Sequence, residues 1–374
     1  MKKITRTIQE LVENSLFKGK IVIIYGARQV GKTTLVKDII EKYSENSVYF
    51  NCDEPDIRMM LTDKTSTEIK AFLGDKKFVV LDEAQRIKNI GITLKLIADN
   101  FPDIQVIATG SSSFELSNKI AEPLTGRKYE FYLYPFSWEE LDQKFSDLES
   151  QRLLESRLIT GMYPEIVFGK EVERNLKNLA TSYSYKDVLE YQNIKNPEVL
   201  EKILQALALQ IGNEVSYNEL ASLVGVDKVT VSNYIQILEK AFIIFRLKPF
   251  SRNLRNELKK LRKIYFYDNG IRNALINNLN PLSLRQDTGA LWENFLISER
   301  LKRNNNNGSD RNVYFWRTTA GQEIDYLEDF EGGVDGYEFK WKRDKFKIPK
   351  VFVTAYPESQ VKLINKENFR EFVT

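Results

Sequence analysis

The chain contains no histidine and a single cysteine, Cys52. The first absence removes Ser-His-Asp and Cys-His catalysis and every zinc site built on imidazole. Chemistry must then rest on carboxylates, lysine, arginine and a hard cation. The second permits no internal disulfide and points to a reducing, cytoplasmic setting. No apolar run approaches the length needed to span a bilayer, so no membrane partner is expected. The basic opening Met1-Lys2-Lys3 lacks the apolar stretch of a signal peptide. Charge of one sign is missing too: 55 Lys and Arg against 52 Asp and Glu leave a formal net charge of +3. That balance says little until its distribution is read. With 374 residues, 42% of them hydrophobic, the chain can build two or three domains, each with its own core.

What is present begins with Gly26-Ala27-Arg28-Gln29-Val30-Gly31-Lys32-Thr33, a complete G-x-x-x-x-G-K-[ST] phosphate loop followed by Thr34. An apolar run at 21–25 precedes it and a helical pattern at 34–40 follows. That context predicts a buried strand, a loop whose backbone N–H groups curl around phosphate, and a helix N-terminus that adds its positive end. Lys32 is expected on the β- and γ-phosphates and Thr33 on Mg²⁺. Four apolar residues at 78–81 end in Asp82 and Glu83, placing Asp82 beside the metal and Glu83 where it can polarise the attacking water. A further strand at 104–108 runs into Thr109-Gly110-Ser111-Ser112-Ser113, whose hydroxyls suit γ-phosphate sensing and ordinary turn chemistry equally well.

Strand candidates at 21–25, 48–51, 78–82, 104–109 and 129–133 alternate with helical patterns, the rhythm of an α/β parallel sheet over residues 1–141. Residues 142–196 read as a small helical lid beside the nucleotide, broken at Gly161-Met162-Tyr163-Pro164. Residues 197–270 read as a winged helix-turn-helix. Ser216 and Glu219 form a capping box, residues 225–227 make the turn, and a helix over 228–240 presents Lys228, Thr230 and Asn233 to a major groove. The wing carries Arg252, Arg255, Lys259, Lys260 and Lys263, a footprint suited to the phosphates of DNA. A charged loop on a winged helix that binds protein has the same composition. Residues 271–374 follow an α-β-β-β-α-β order, with Asn304 to Asn307 read as a flexible loop. Strand alternation groups Ile324 with Tyr326 and brings Asp325, Glu338 and Lys340 to one surface, with Glu293 on the preceding helix. Two carboxylates with a lysine can hold Mg²⁺ and orient water for phosphodiester hydrolysis; an inert polar sheet face shows the same alternation.

Taken together, the phosphate loop, Leu81-Asp82-Glu83-Ala84-Gln85, Thr109 to Ser113, Leu124-Thr125-Gly126-Arg127, Trp292-Glu293-Asn294-Phe295, Glu323-Ile324-Asp325 and Glu338-Phe339-Lys340 resemble a bacterial and archaeal family of AAA-class ATPases. That family carries a C-terminal region of unknown function. The resemblance implies an AAA-like P-loop NTPase core that takes ATP, and a C-terminal domain similar to the PD-(D/E)xK restriction-endonuclease fold. It also implies an arginine-finger role for Arg127, in its own chain or in a neighbouring subunit of an oligomer. The reading that follows is an ATPase coupling nucleotide state to DNA through the winged helix and the nuclease-like domain. Its alternative is a nucleotide-gated module that binds a protein partner and carries an inactive nuclease fold.

Overall fold

The computed structural model describes residues 3–111, 116, 120–181, 196–250, 262–309, 311–330, 333–342 and 345–374. The chain forms two compact units, Met1–Pro135 with Lys240–Phe242, and Phe136–Glu239 with Ile243–Thr374. Among the described residues no helix is long and apolar enough to cross a membrane.

The first unit is built on five parallel strands, β1 (Ile21–Tyr25), β2 (Ser47–Asn51), β3 (Phe78–Asp82), β4 (Gln105–Gly110) and β5 (Lys128–Tyr132), in the order β2-β3-β4-β1-β5. Each lies within about a residue of its expected position. β1, β3 and β4 are buried along their whole length, as unbroken apolar strands must be when helices cover both sheet faces. Since all five run the same way, the carboxyl ends of β1, β3 and β4 share one edge. Open α/β sheets bind their ligands at that edge. The phosphate loop, Asp82-Glu83 and Thr109 arrive there together.

The second unit holds a seven-stranded sheet in the order β12-β11-β10-β9-β7-β8-β6. Its members are β6 (Glu214–Val215), β7 (Ile244–Pro249), β8 (Arg262–Phe266), β9 (Asn312–Arg317), β10 (Glu323–Phe330), β11 (Gly333–Phe339) and β12 (Gln360–Ile364). A division at residue 270 cuts through this sheet. β7 pairs in parallel with β9, setting Lys248 opposite Tyr314 and Pro249 opposite Phe315, and Phe250 N donates to Phe315 O at 2.6 Å. The strands read as a wing therefore satisfy what would otherwise be the bare edge of β9.

The segment read as a lid also packs within this unit. Helix Asp147–Thr160 lies against helix Asn269–Leu275, with Asn273 Nδ2 donating to Ile159 O at 2.8 Å and Met162 N to Asp268 Oδ2 at 2.6 Å. The break at Gly161 has a local cause: its φ is +77°, and a Cβ there would sit 2.0 Å from Asp268 Oδ1. Residues 182–195 lie outside the described residues. Helices Pro197–Leu209, Tyr217–Val224 and Lys228–Lys240 follow, the last with the expected bounds and with Val231, Ile235 and Leu238 buried. Glu219 N donates to Ser216 Oγ, one of the two bonds of the expected capping box.

Two expectations for the C-terminal strands fail. The asparagine run is not a loop: helix Thr288–Asn306 continues through it, because Asn304 Nδ2 donates to the buried Glu328 at 2.9 Å. Nor does β10 alternate strictly. A bulge against β9 lies between Ile324 and Leu327, so Ile324 joins Leu327, Phe250, Trp316 and Phe352 in one apolar cluster. Tyr326 packs instead on Tyr337, Phe339 and Phe372. One inserted residue shifts the period-two pattern by one step.

Candidate functional site

At the carboxyl edge of the parallel sheet, the chain leaves β1 through a loop whose shape depends on its glycines. A Cβ on Gly26 would meet Leu133 O at 2.2 Å, and Gly31 holds φ +101°. Gln29 also has positive φ, +58°. Successive residues of this kind turn their N–H groups inward, forming a concave anion site. Helix Lys32–Glu41 begins where the loop ends. Arg6 braces the loop from behind, donating to Val30 O at 3.1 Å and to Tyr134 O at 2.5 Å. Lys32 is buried, and its amine donates to Gly26 O at 2.9 Å and Ala27 O at 3.0 Å. It thus lies folded along the loop. Gln29 and Thr34 are exposed, Arg28 is half-buried, and Ala27 and Val30 are buried.

Asp82 is the centre of a hydroxyl cage. Its Oδ2 accepts from Thr33 Oγ1 at 2.7 Å and from Tyr49 OH at 2.6 Å, and its Oδ1 accepts from Thr109 Oγ1 at 2.5 Å. Burial and the Asp82 charge push the Tyr49 phenol well above its ordinary range. Burial likewise lifts the neighbouring Cys52 thiol to about 12, which leaves it un-ionised and inert at neutral pH. Thr109 also accepts from Glu83 N at 3.1 Å, and Glu83 sits in the left-handed region with φ 55°. Gln85 Nε2 donates to Glu83 Oε2 at 2.5 Å and to Ser111 Oγ at 3.1 Å. Sequence reading named the loop, Asp82, Glu83 and the Thr109 hydroxyl but missed Tyr49 and Gln85. Tyr49 depends on β2 lying beside β3, a neighbourhood that its own residues do not encode.

The site fits magnesium and a nucleotide triphosphate. Thr33 and Asp82 supply hard oxygen donors, and Mg²⁺ ordinarily takes only one or two protein ligands beside phosphates and waters. Arg127 does not join this site. It precedes β5, and Ile21 N donates to Arg127 O, so it stands at the amino edge of the sheet, opposite the phosphate loop. There it pairs with Asp99, Nε to Oδ1 at 2.5 Å. The register of parallel strands excludes it as a finger for its own chain. Ser112 and Ser113 lie outside the described residues.

The second constellation forms in the other unit. One step beyond the paired Tyr326 and Tyr337, Asp325 stands across from Glu338, and Asp325 Oδ2 accepts from Phe339 N at 2.8 Å. Burial first, then Glu293 and Glu338, pushes the Asp325 carboxyl well above its usual range. Burial also raises Glu338, although Lys340 Nζ donates to its Oε1 at 2.5 Å. The four expected residues do converge. Lys263, expected on DNA phosphates, is here with them: buried, donating to Glu293 Oε1 at 3.0 Å and ion-paired with Glu323. Strand β8 turns it inward, away from any ligand surface. Tyr265 OH donates to the same Glu293 oxygen at 2.5 Å. A divalent ion does not fit this arrangement, since among the described residues no three carboxylates stand where they could hold one.

Of the other residues expected on DNA, Lys228 and Asn233 are exposed. Thr230 is partly engaged, its Oγ1 donating to Asp227 at 2.7 Å. Arg252, Arg255, Lys259 and Lys260 lie outside the described residues.

Comparison with known proteins agrees with the first site. Residues 18–142 match an AAA domain. The first unit thus carries an AAA-class P-loop, a nucleotide-binding domain. Residues 151–282 and 288–370 match two domains of unknown function, DUF8612 and DUF4143. An uncharacterised protein of Methanocaldococcus jannaschii is 25% identical over 347 residues, 87% of this chain and 76% of that one. An uncharacterised protein of Haemophilus influenzae is 25% identical over 298 residues, 72% of each chain. A DNA polymerase III gamma subunit-related protein from Thermotoga maritima aligns over 63% of this chain and 98% of that one, at 14% identity. Its TM-score of 0.26 is too low to carry an argument.

Proposed function

We propose that the chain is a MgATP-hydrolysing ATPase that couples its nucleotide state to nucleic-acid binding. The observation that carries the ATPase reading is Asp82, held by Thr33, Tyr49 and Thr109 directly beside the phosphate loop. Backbone N–H groups of residues 26–33 bind the phosphates, and the Lys32 amine leaves its loop carbonyls to reach the β- and γ-oxygens. Thr33 and Asp82 would hold a Mg²⁺ shell, which when bound would supply charge neutralisation to the phosphate oxygens. Glu83 accepts a proton from the attacking water, while Gln85 and Thr109 fix its direction. Arg127 can serve as a finger only from another copy of the chain. Nucleotide binding and phosphate release, measured on Lys32→Ala and Glu83→Gln, test this. Hydrolysis that survives unchanged in Glu83→Gln would remove that residue from the reaction.

The winged-helix reading rests on helices 197–209, 217–224 and 228–240 with the β7–β8 hairpin. Lys228, Asn233 and Lys248 offer exposed polar groups to phosphate or base. The order of elements after residue 288 supports a nuclease-like fold. A second reading has its own observation: Leu223 and Val229 are 66% and 68% exposed beside the same helix start. Apolar side chains there suit a protein partner better than a polyanion, which would make the whole chain a nucleotide-gated interaction module. Salt dependence separates the two, because binding to nucleic acid weakens steeply as salt rises.

A further inference from the structure

Past β11 the charge of the chain stops balancing. From residue 340 to residue 357 the sequence sets Lys340, Lys342, Arg343, Lys345, Lys347 and Lys350 against a single acid, Asp344. Arg343 and Asp344 lie outside the described residues, and Lys340 stands on Glu338. The other four lysines are exposed, and among the described residues none of them forms an ion pair. Exposed lysines elsewhere behave differently: Lys42, Lys177 and Lys366 each stand on a glutamate. Nor do the four serve the local fold. Lys350 opens helix Lys350–Ala355, where the positive end of the helix disfavours a cation. The segment is nevertheless held at both ends. Trp341 packs on Trp292 at 5.2 Å, with the Lys366 ammonium 4.3 Å from its ring centre. Phe352 is buried against Trp316 in the apolar cluster of Ile324 and Leu327.

We infer that Lys342, Lys345, Lys347 and Lys350 form a second nucleic-acid surface, one that grips the phosphate backbone beside the end of β11. It rests on the reading of the chain as a nucleic-acid binder and moves most of the electrostatic contact away from helix 228–240. Around that helix and β7 the exposed lysines are Lys228 and Lys248; the segment after β11 offers twice as many. A lysine ammonium is a point charge on a flexible stem, so it meets phosphate without reading bases. The surface is therefore indifferent to sequence. An anionic membrane needs a broad apolar face beside its lysines. Helix Lys350–Ala355 turns its one aromatic side chain, Phe352, into the core and leaves only Val351 and Val353 outside. Four lysines on phosphate release counterions enough to steepen the log–log salt dependence by about 3.6 on duplex DNA and about 2.8 on a single strand.

The test uses the full chain, with a labelled DNA duplex and a labelled single-stranded RNA of arbitrary sequence as probes. Anisotropy is followed across a salt series for wild type, for Lys342→Gln/Lys345→Gln/Lys347→Gln/Lys350→Gln, and for the matching fourfold arginine variant. The glutamine variant should bind the duplex about tenfold more weakly or worse at low salt, with the slope flattened by about 3 to 4. The arginine variant should keep both within about twofold, because it keeps the charge. Unfolding temperature and ATP affinity should be the same in all three, since the four side chains are exposed. If the fourfold glutamine variant does not fold, Lys342→Gln/Lys345→Gln and Lys347→Gln/Lys350→Gln are measured separately, each expected to flatten the slope by about two. A wild-type slope retained in the folded glutamine variants overturns this surface and leaves binding through helix 228–240 standing. Absence of any binding by wild type at low salt overturns both. Loss of binding to phosphatidylserine vesicles in the glutamine variant, with duplex and RNA binding unchanged, gives the surface to a membrane and overturns it as well.

Discussion

Both units hold carboxylates in ordered polar surroundings, and the partners of those carboxylates differ in charge. Asp82 is surrounded by three hydroxyls, whereas Glu293 and Glu323 share a buried ammonium. Hydroxyls orient a carboxylate and leave its charge in place, so a magnesium ion can still be drawn to it. One shared ammonium offsets part of that charge and ties up the carboxylate oxygens, so the pair acts structurally. Two acid sites that look alike in sequence thus differ in what they can recruit. The deciding feature is the donor that the fold brings up against each.

The largest effect that would break this comparison is at the first site. Lys32→Ala should abolish measurable ATP binding. Glu83→Gln should keep binding and slow hydrolysis by about 100-fold or more, the usual contribution of a positioned base. Calorimetric nucleotide titration and phosphate release would show both. Hydrolysis equal to wild type in either variant would place the chemistry elsewhere.

Next in size is a carboxylate of the second unit that is fully paired. Glu328 accepts from Arg300 at 2.7 and 2.8 Å and from Arg311 at 2.8 Å. Burial works against its charge, but the Arg300 bonds win and hold the carboxyl at about 2, below its ordinary 4.5. Its contribution is therefore complete above about pH 4.5 and is lost as pH falls toward 2. Glu328→Gln should cost about 3 kcal/mol at neutral pH, since it strands a buried guanidinium. Urea unfolding at pH 7 and pH 3 would measure both, the mutational loss shrinking at the lower pH.

Asp325 sharpens the contrast in the other direction. Its carboxyl is raised, by burial and by two neighbouring acids, so the folded state favours its protonated form and ionisation costs stability as pH rises. Asn keeps an acceptor for Phe339 N. Asp325→Asn should then change stability by less than about 1 kcal/mol at pH 7, and in the stabilising direction. A loss comparable with that of Glu328→Gln would show that the charge of Asp325 is needed.

The smallest expected effect concerns the helix read as a groove reader. Lys228→Glu should weaken binding to duplex DNA a fewfold at low salt and flatten its salt dependence by about one counterion. Leu223→Ser with Val229→Ser should leave DNA binding within twofold. Fluorescence anisotropy at two ionic strengths distinguishes these outcomes, and the reverse ranking would favour a protein partner.

The amino-acid sequence by itself determined the first unit closely. Strands β1, β3 and β4 are largely apolar runs that end in or run into glycine or acid, and the phosphate loop is contiguous, so local pattern and site coincide. Asp82 and Glu83 were legible for the same reason. The meeting of Asp325, Glu338 and Lys340 was also legible from strand alternation, with Glu293 added from the preceding helix, though the bulge after Ile324 was not. What only the tertiary structure decided is pairing between segments far apart in the chain. Tyr49 reaches Asp82 because β2 lies beside β3, and Arg127 is kept from the nucleotide because strand register puts it at the opposite edge. Lys263 changes role because β7 joins β9 and carries β8 toward the acids. Composition reports the charge of a lysine, but only the fold sets whether that charge meets solvent or a buried carboxylate.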